Sequence, residues 1–360
     1  MMSMLAAVYR GDSGVRLEEV PQPSFGRGEM LLRLHNASIC ATDIRILKGA
    51  HRKFDAGTVR IPGHEIAGTV EAVGADVTGF EPGQRVFVAP NMGCGKCISC
   101  RRGRNNLCPN YDAFGITLDG GFAEFMRVTA PAIEQGNVMP LEANADLTTA
   151  ALAEPLACVL HGQDAVGATA GYVVLVLGAG PIGLMHTLLA TAHGAKHVIL
   201  ADRVAQRLAM AASISAARLV DVTRDDLHAV VTEETGGAGA DVVIVAAPAA
   251  EAQQQALQLA APGGRVNLFA GLPKDKPFVS LETNLIHYKE LLVTGTTACS
   301  TSDCRHSLDL IVSGAVDLMP LVTARFPLEN AAEAFAAAQD PSNLKVVLDM
   351  NGRNRPHGGR

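Results

Sequence analysis

The 360-residue sequence contains no tryptophan, and aromatic residues make up only 4% of it. Charge is sparse too, at 18% of residues against 48% hydrophobic. An aliphatic chain with so little charge offsets its ordering entropy by burial, which excludes disorder for most of its length. A basic balance is also missing, since the formal net charge is −6. No positive field attracts phosphate backbones, so nucleic acid is not an expected partner. The single basic run, Gly352 to Arg360, contains Gly and Pro and reads as a solvated tail. The opening MMSMLAAVYRGDS lacks a charged leader and a sustained apolar region, so no secretory signal is expected and the chain is assigned to the cytoplasm. Residues 173–192 are apolar enough to raise a membrane span. Their spaced glycines, Pro181 and His186 point instead to a buried strand running into a buried helix, so no membrane partner is expected.

What is present is glycine, at 36 residues, and cysteine, at 8. The length suggests two domains, at about 100–200 residues each. From Leu5 to about Ala130, short apolar runs alternate with Gly, Pro and Asp, the pattern of many short strands joined by turns. An Ala- and Leu-rich helical stretch occupies residues 147–168. Strand-like runs then alternate with helical ones: Val173–Leu177, His197–Ala201, Val242–Ala246, Arg265–Phe269 and Leu291–Gly295, with helices at Pro181–Ala192 and Ala205–Ala212. Such alternation implies a parallel sheet covered on both faces. Helices at Asp303–Ser313 and Asn330–Gln339 and a final apolar KVVLDM run complete the pattern.

Eight cysteines without a leader point to metal ligands or reactive thiols rather than a disulfide framework. Cys94, Cys97, Cys100 and Cys108 bunch in a loop poor in apolar residues. Two-residue gaps let adjacent sulfurs converge on one zinc ion, and four thiolates leave no open position, so this site is expected to be structural. An iron–sulfur cluster competes with that reading and loses on the long last gap.

Val173–Leu177 leads into Gly178-Ala179-Gly180-Pro181-Ile182-Gly183 and then a helical run, with Asp202 ending the next strand. That is a dinucleotide loop in its full context. Gly178 allows the turn, Gly180 the close approach of a pyrophosphate, and Gly183 the packing of helix on strand, while the helix N-terminus carries the anion. Asp202 is expected to accept from the ribose hydroxyls, which favours NAD over NADP. The neighbouring Arg203 softens that preference, because an arginine there can take the extra phosphate.

Three further segments hold metal-competent residues: Cys40-Ala41-Thr42-Asp43, Gly63-His64-Glu65 and Glu154-Pro155-Leu156. With the four-cysteine loop and GAGPIG, they resemble, in order, the zinc-dependent medium-chain alcohol and polyol dehydrogenases, in the sorbitol and threonine dehydrogenase branch. The resemblance covers nearly the whole chain. It implies an α/β fold in which a GroES-like, mostly β catalytic domain (1–155 and 300–360) is interrupted by a Rossmann domain with a doubly wound parallel sheet (156–299), the active site lying between them. It implies two zinc ions per chain. The catalytic one would be held by Cys40, His64 and Glu154, the last directly or through water, with Glu65 a spare carboxylate able to enter the metal's shell when another ligand leaves and Asp43 an acceptor for the His64 ring. Three protein ligands leave a fourth position for the substrate oxygen, as in catalytic zinc sites.

The implied reaction passes a hydride between a small secondary alcohol or polyol and NAD, with Thr42 relaying the alcohol proton. A threonine-type or sugar-phosphate dehydrogenase is the alternative within enzymes, and a non-catalytic dinucleotide sensor the alternative outside them. The family's relay histidine is replaced by Arg45; His51, a few residues on, reads either as its substitute or as a solvated loop residue. Phe114 and Thr117 fall where polyol dehydrogenases line their pocket. Ala298 stands where sorbitol dehydrogenases often carry a substrate-binding arginine, a departure from the polyol pattern. Lys345 falls where the family has a basic residue near the cofactor pyrophosphate. Cys158, Cys299 and Cys304 read as ordinary thiols, Cys158 lying one helical turn from Glu154. Relatives are commonly homotetramers or homodimers, so a homo-oligomer is expected.

Overall fold

Pro155 sits where the chain passes from one compact unit to another. It is in the first turn of a helix, Ala153–Ala165, where a missing N–H costs nothing. The computed structural model describes residues 2–11, 14–51, 53–55 and 57–350, so the basic run at 352–360 lies outside the described residues. One unit comprises the described residues of Met1–Glu154, Cys299–Val312 and Val322–Arg360; the other comprises Pro155–Ala298 and Ser313–Leu321. The sequence pattern assigns residues 313–321 to the first of these. In the structure they go with the second, and Val316, Leu318 and Leu321 are buried there.

The first unit is mostly β. A seven-stranded sheet runs Val322–Pro327, Lys345–Asp349, Met30–Ser38, Glu65–Val73, Arg85–Val88, Val138–Pro140, with Phe125–Val128 also pairing Met30–Ser38. A hairpin of Ser3–Tyr9 and Val15–Pro21 stands beside it. Apolar residues alternating along these strands build one core that includes Met30, Leu32, Leu34, Ile66, Phe114 and Phe122. Strand register sets which side chains meet at the end of the sheet. Ser38 pairs with Glu65 on one side and Val347 on the other, both antiparallel. Continuing two residues brings Cys40 level with Gly63 and with Lys345, so three distant segments deliver their polar side chains to one end of the sheet.

In the second unit, six strands pair in parallel in the order Arg218–Asp221, His197–Asp202, Val173–Leu177, Ala240–Val245, Ala260–Leu268, Leu292–Gly295. Numbered along this unit, the order is 3-2-1-4-5-6, that of a doubly wound dinucleotide fold. Val173–Leu177 is buried at every position, as a central strand covered on both faces must be. Each fully buried Val or Leu there contributes about 1.5–3 kcal/mol. The apolar window at 173–192 is therefore a core strand followed by the helix Pro181–Ala192. Among the described residues no helix is long and apolar enough to cross a membrane.

Candidate functional site

The four-cysteine loop brings its sulfurs within 4.8 Å of one another. Cys97 Sγ lies 3.5 Å from Cys100 Sγ and 3.7 Å from Cys108 Sγ, and none of the cysteines is in a disulfide. Four thiolates at about 2.3 Å around a tetrahedral ion stand about 3.8 Å apart, so the donor set fits zinc. The backbone N–H groups of Lys96 and Cys97 pull the Cys94 thiol down to about 6, whereas burial and the neighbouring thiols push Cys100 up to about 12. Crowded sulfurs that cannot all ionise together are resolved by a cation. Gly93 is required by this packing, because a Cβ there would collide with Cys100 Sγ.

Cys40, His64 and Glu65 form a second group, also within 4.8 Å. Cys40 caps the helix Ala41–Leu47, and its N–H donates to Asp43 Oδ2 at 2.9 Å. Asp43 is fully buried and turns its other oxygen toward His64 Nδ1 at 3.4 Å. Both of those facing atoms are buried without a hydrogen bond. The arrangement leaves Nε2 as the ring's ligand atom, with the carboxylate behind it, as in metal-bound histidines. Burial opposes charge on His64, but Asp43 and the Cys40 thiol outweigh it and raise the ring's pKa well above 6.5. The pocket favours positive charge at this point, which fits a divalent cation. His64 is aimed by Gly63, whose φ of +97° suits glycine and whose added Cβ would press on Phe122 at 2.8 Å.

Lys345 differs from its expected place. The resemblance puts it near the cofactor pyrophosphate, but its ammonium is buried and donates to both oxygens of Glu65, at 2.6 and 2.8 Å, and to Ile39 O at 3.1 Å. The physical reason is the strand register, which points the side chain inward beside Cys40. Burial works against its charge, yet Glu65, Cys40 and Glu154 together raise its pKa above 10.5. Glu65 is thus paired with an internal cation while its carboxylate stays within 4.8 Å of the ligand atoms of Cys40 and His64. Glu154, 6% exposed, is close enough to act on Lys345 but does not join the Cys40 group.

Thr42 is half-buried in the first turn beside Cys40, and Arg45 is exposed. His51 stacks edge-on against Phe54 at 5.5 Å. Phe114 is fully buried in the core of the first unit, and Thr117 Oγ1 accepts from Ala113 N at 2.8 Å within the local turn. Ala298 holds a left-handed φ of +52°.

In the second unit Gly178 has φ +113°, and a Cβ on Gly183 would strike the Gly178 carbonyl. Gly180 differs: the nearest atom to an added Cβ is Arg207 Nη1 at 3.8 Å, which leaves an open cradle at the N-terminus of Pro181–Ala192. Its shape fits a pyrophosphate. Pro181 and Ile182 are half-buried in that first turn. Asp202 ties the loop together, accepting from Ala179 N at 2.6 Å and Val204 N at 2.8 Å. Each of its oxygens keeps a second lone pair for a ribose hydroxyl. Arg203 is exposed, while Arg207 approaches Asp202 at 4.0 Å. Sequence reasoning passes over Arg207; its signal is a second arginine one helical turn beyond Arg203.

Comparison with known proteins agrees with this geometry. Residues 26–139 match the alcohol dehydrogenase GroES-like domain, and residues 181–313 match the zinc-binding dehydrogenase family. L-threonine 3-dehydrogenase of Bacillus subtilis (strain 168) is 34% identical, over 94% of this chain and 96% of the relative. Among solved structures, a protein described as a zinc-binding dehydrogenase of Sinorhizobium meliloti 1021, bound to NADP, superposes with a TM-score of 0.88 at 32% identity, covering 97% of this chain and 100% of its own. An alcohol dehydrogenase of Thermus sp. ATN1 gives 0.87 at 30% identity, covering 96% and 99%.

Proposed function

The chain belongs to the zinc-dependent medium-chain dehydrogenase family, and on that premise we propose that it oxidises a small secondary alcohol or polyol with NAD, using two zinc ions per chain. The observation that carries this reading is the convergence of Cys40 and His64, backed by Asp43, at the end of one sheet. Cys40 and His64 would hold the catalytic ion together with a carboxylate, Glu154 directly or through water or Glu65 beside them, and Cys94, Cys97, Cys100 and Cys108 the structural one. Zinc, when bound, supplies a Lewis acid that brings an alcohol's proton within reach of removal near neutral pH.

The chain's own groups do the rest. Asp43 orients the His64 ring, and Lys345 holds both oxygens of Glu65, which balances the charge of the carboxylate that stands with Cys40 and His64. Thr42 Oγ1 takes the alcohol proton and passes it outward. Arg45 has no basic form at ordinary pH, so the next acceptor is His51 or solvent. Gly178, Gly180 and Gly183 seat the pyrophosphate, Asp202 receives the ribose, and Arg203 and Arg207 line the place where a 2′-phosphate would stand. NAD is favoured because the Asp202 carboxylate repels that phosphate.

The likeness to L-threonine 3-dehydrogenase favours a second reading, a β-hydroxy amino acid as the alcohol. Ala298, lacking the arginine of sorbitol dehydrogenases, points the same way. Dinucleotide reduction measured against polyols, simple secondary alcohols, threonine and sugar phosphates, with NAD and with NADP, decides between them. Turnover on none of the four classes contradicts the enzyme reading. The protein is expected to act as a cytoplasmic homo-oligomer.

A further inference from the structure

Asn91 immediately precedes the four-cysteine loop and is 4% exposed. Its Nδ2 donates to Cys299 O at 3.0 Å and to Cys299 Sγ at 3.4 Å. Its Oδ1 accepts from the Tyr111 hydroxyl, and its backbone carbonyl accepts from Asn105 at 2.9 Å and Asn137 at 2.8 Å. Asn105 lies inside the cysteine loop and accepts from Thr301 N at 3.0 Å, at the start of the helix that comes after Cys299. Cys299 is fully buried, and its sulfur lies 3.9 Å from Glu154 Oε1.

We propose that Cys299 is a positioning residue for the Glu154 carboxylate, and that Asn91 fixes Cys299 so that the four-cysteine loop anchors the catalytic ligand. The inference rests on the reading of Glu154 as a metal ligand. Direction comes from donor and acceptor chemistry. Asn91 Nδ2–H fills a lone pair of the sulfur, so the sulfur acts there as acceptor and its S–H is left to point onward. The groups within reach of it include Cys304 Sγ at 3.5 Å, the Glu154 carboxylate at 3.9 Å and the Glu154 backbone carbonyl at 4.0 Å, so both of its routes onward to oxygen end on Glu154. The charged carboxylate is the strongest acceptor of the three. A thiol is a weak donor, so its effect is to select one carboxylate orientation rather than to add much binding energy. The helix bearing Cys304 is pinned independently, by Ser307 Oγ donating to Ala153 O at 2.6 Å, next to Glu154. Glu154 is therefore held from its backbone neighbour and from its side chain, and both holds trace back to the cysteine loop or the helix beside it.

The test uses the full chain with cobalt at the Cys40 site and zinc in the four-cysteine loop, comparing Cys299→Ala, Cys299→Ser, Asn91→Ala and Glu154→Ala. The readouts are the visible cobalt spectrum and the rate at which a dicarboxylate chelator withdraws cobalt. C299A and N91A should release cobalt about 10-fold faster or more, with a shifted spectrum. C299S, which keeps a donor, should stay near wild type, and the loop zinc should be retained in all four. Wild-type release and spectra in both C299A and N91A overturn the proposal, as does C299S matching C299A. If E154A also behaves as wild type, the ligand reading of Glu154 fails; if E154A alone releases faster, only the positioning role fails.

Discussion

Lys345 Nζ lies 2.6 Å from Glu65 Oε2 and 2.8 Å from Oε1, across 280 residues of sequence, and the two side chains are 5% and 0% exposed. A buried pair of this kind gains little over apolar packing, but breaking it strands a charge. Replacing Lys345 by Met should therefore destabilise the protein by about 3–5 kcal/mol, and adding Glu65→Gln should recover much of the loss. Denaturant unfolding of the two single variants and the double variant measures this. A K345M curve within about 0.5 kcal/mol of wild type contradicts it.

His186 supplies a pH dependence. It is fully buried against Phe269, and burial lowers its pKa from 6.5 to about 3. The unfolded chain binds this proton below pH 6.5 and the folded chain does not until about pH 3. Stability from this group is thus complete above 6.5 and falls as the pH drops toward 3. At about 1.4 kcal/mol per unit the loss approaches about 5 kcal/mol. His186→Leu should flatten the stability profile between pH 6 and 4 relative to wild type, in chemical melts at fixed temperature; parallel slopes would exclude this source.

Gly180 and Gly183 should respond differently to the same substitution. G183A drives a Cβ into the Gly178 carbonyl and should lower the melting temperature or prevent folding. G180A meets nothing nearer than Arg207 Nη1 at 3.8 Å, so it should fold normally. Its methyl group would occupy the pyrophosphate approach and weaken dinucleotide binding by about 10-fold or more, equivalent to about 1.4 kcal/mol. Calorimetric titration with NAD and a thermal melt on each variant separate the two effects. Unchanged affinity in G180A contradicts the assignment.

The four-cysteine loop and the glycine loop are legible because their residues are neighbours in sequence and their spacing encodes geometry. The helix at Pro181–Ala192 and the strand at Val173–Leu177 appear with the bounds their periodicity implies. The edge strand Arg218–Asp221 escapes notice, since four residues with mixed polarity carry too short a pattern. The helical stretch at 147–168 divides into Leu147–Ala151 and Ala153–Ala165, a break that places Glu154 in a first turn. What sequence does not supply is pairing across long separations. The grip of Lys345 on Glu65 and of Asn91 on Cys299 arises from strand register and packing, and no local motif records either.

The four-cysteine loop should hold a metal ion independently of the Cys40 site. Cys100→Ser removes the sulfur that packs against Gly93 and should cost one zinc per chain and lower the melting temperature, because structural zinc contributes directly to folding free energy. Metal analysis of the purified variant checks the count. Full zinc content in C100S contradicts the assignment.

The central claim is that Cys40 holds the zinc at which alcohol is oxidised, apart from the zinc that shapes the cysteine loop. Its most direct test is zinc content per chain measured alongside turnover in wild type and Cys40→Ser. Wild type should carry two zinc ions and be active, and C40S should carry one zinc, keep its fold and show no turnover. A C40S enzyme that turns over normally, or a wild type fully active with one zinc per chain, contradicts it.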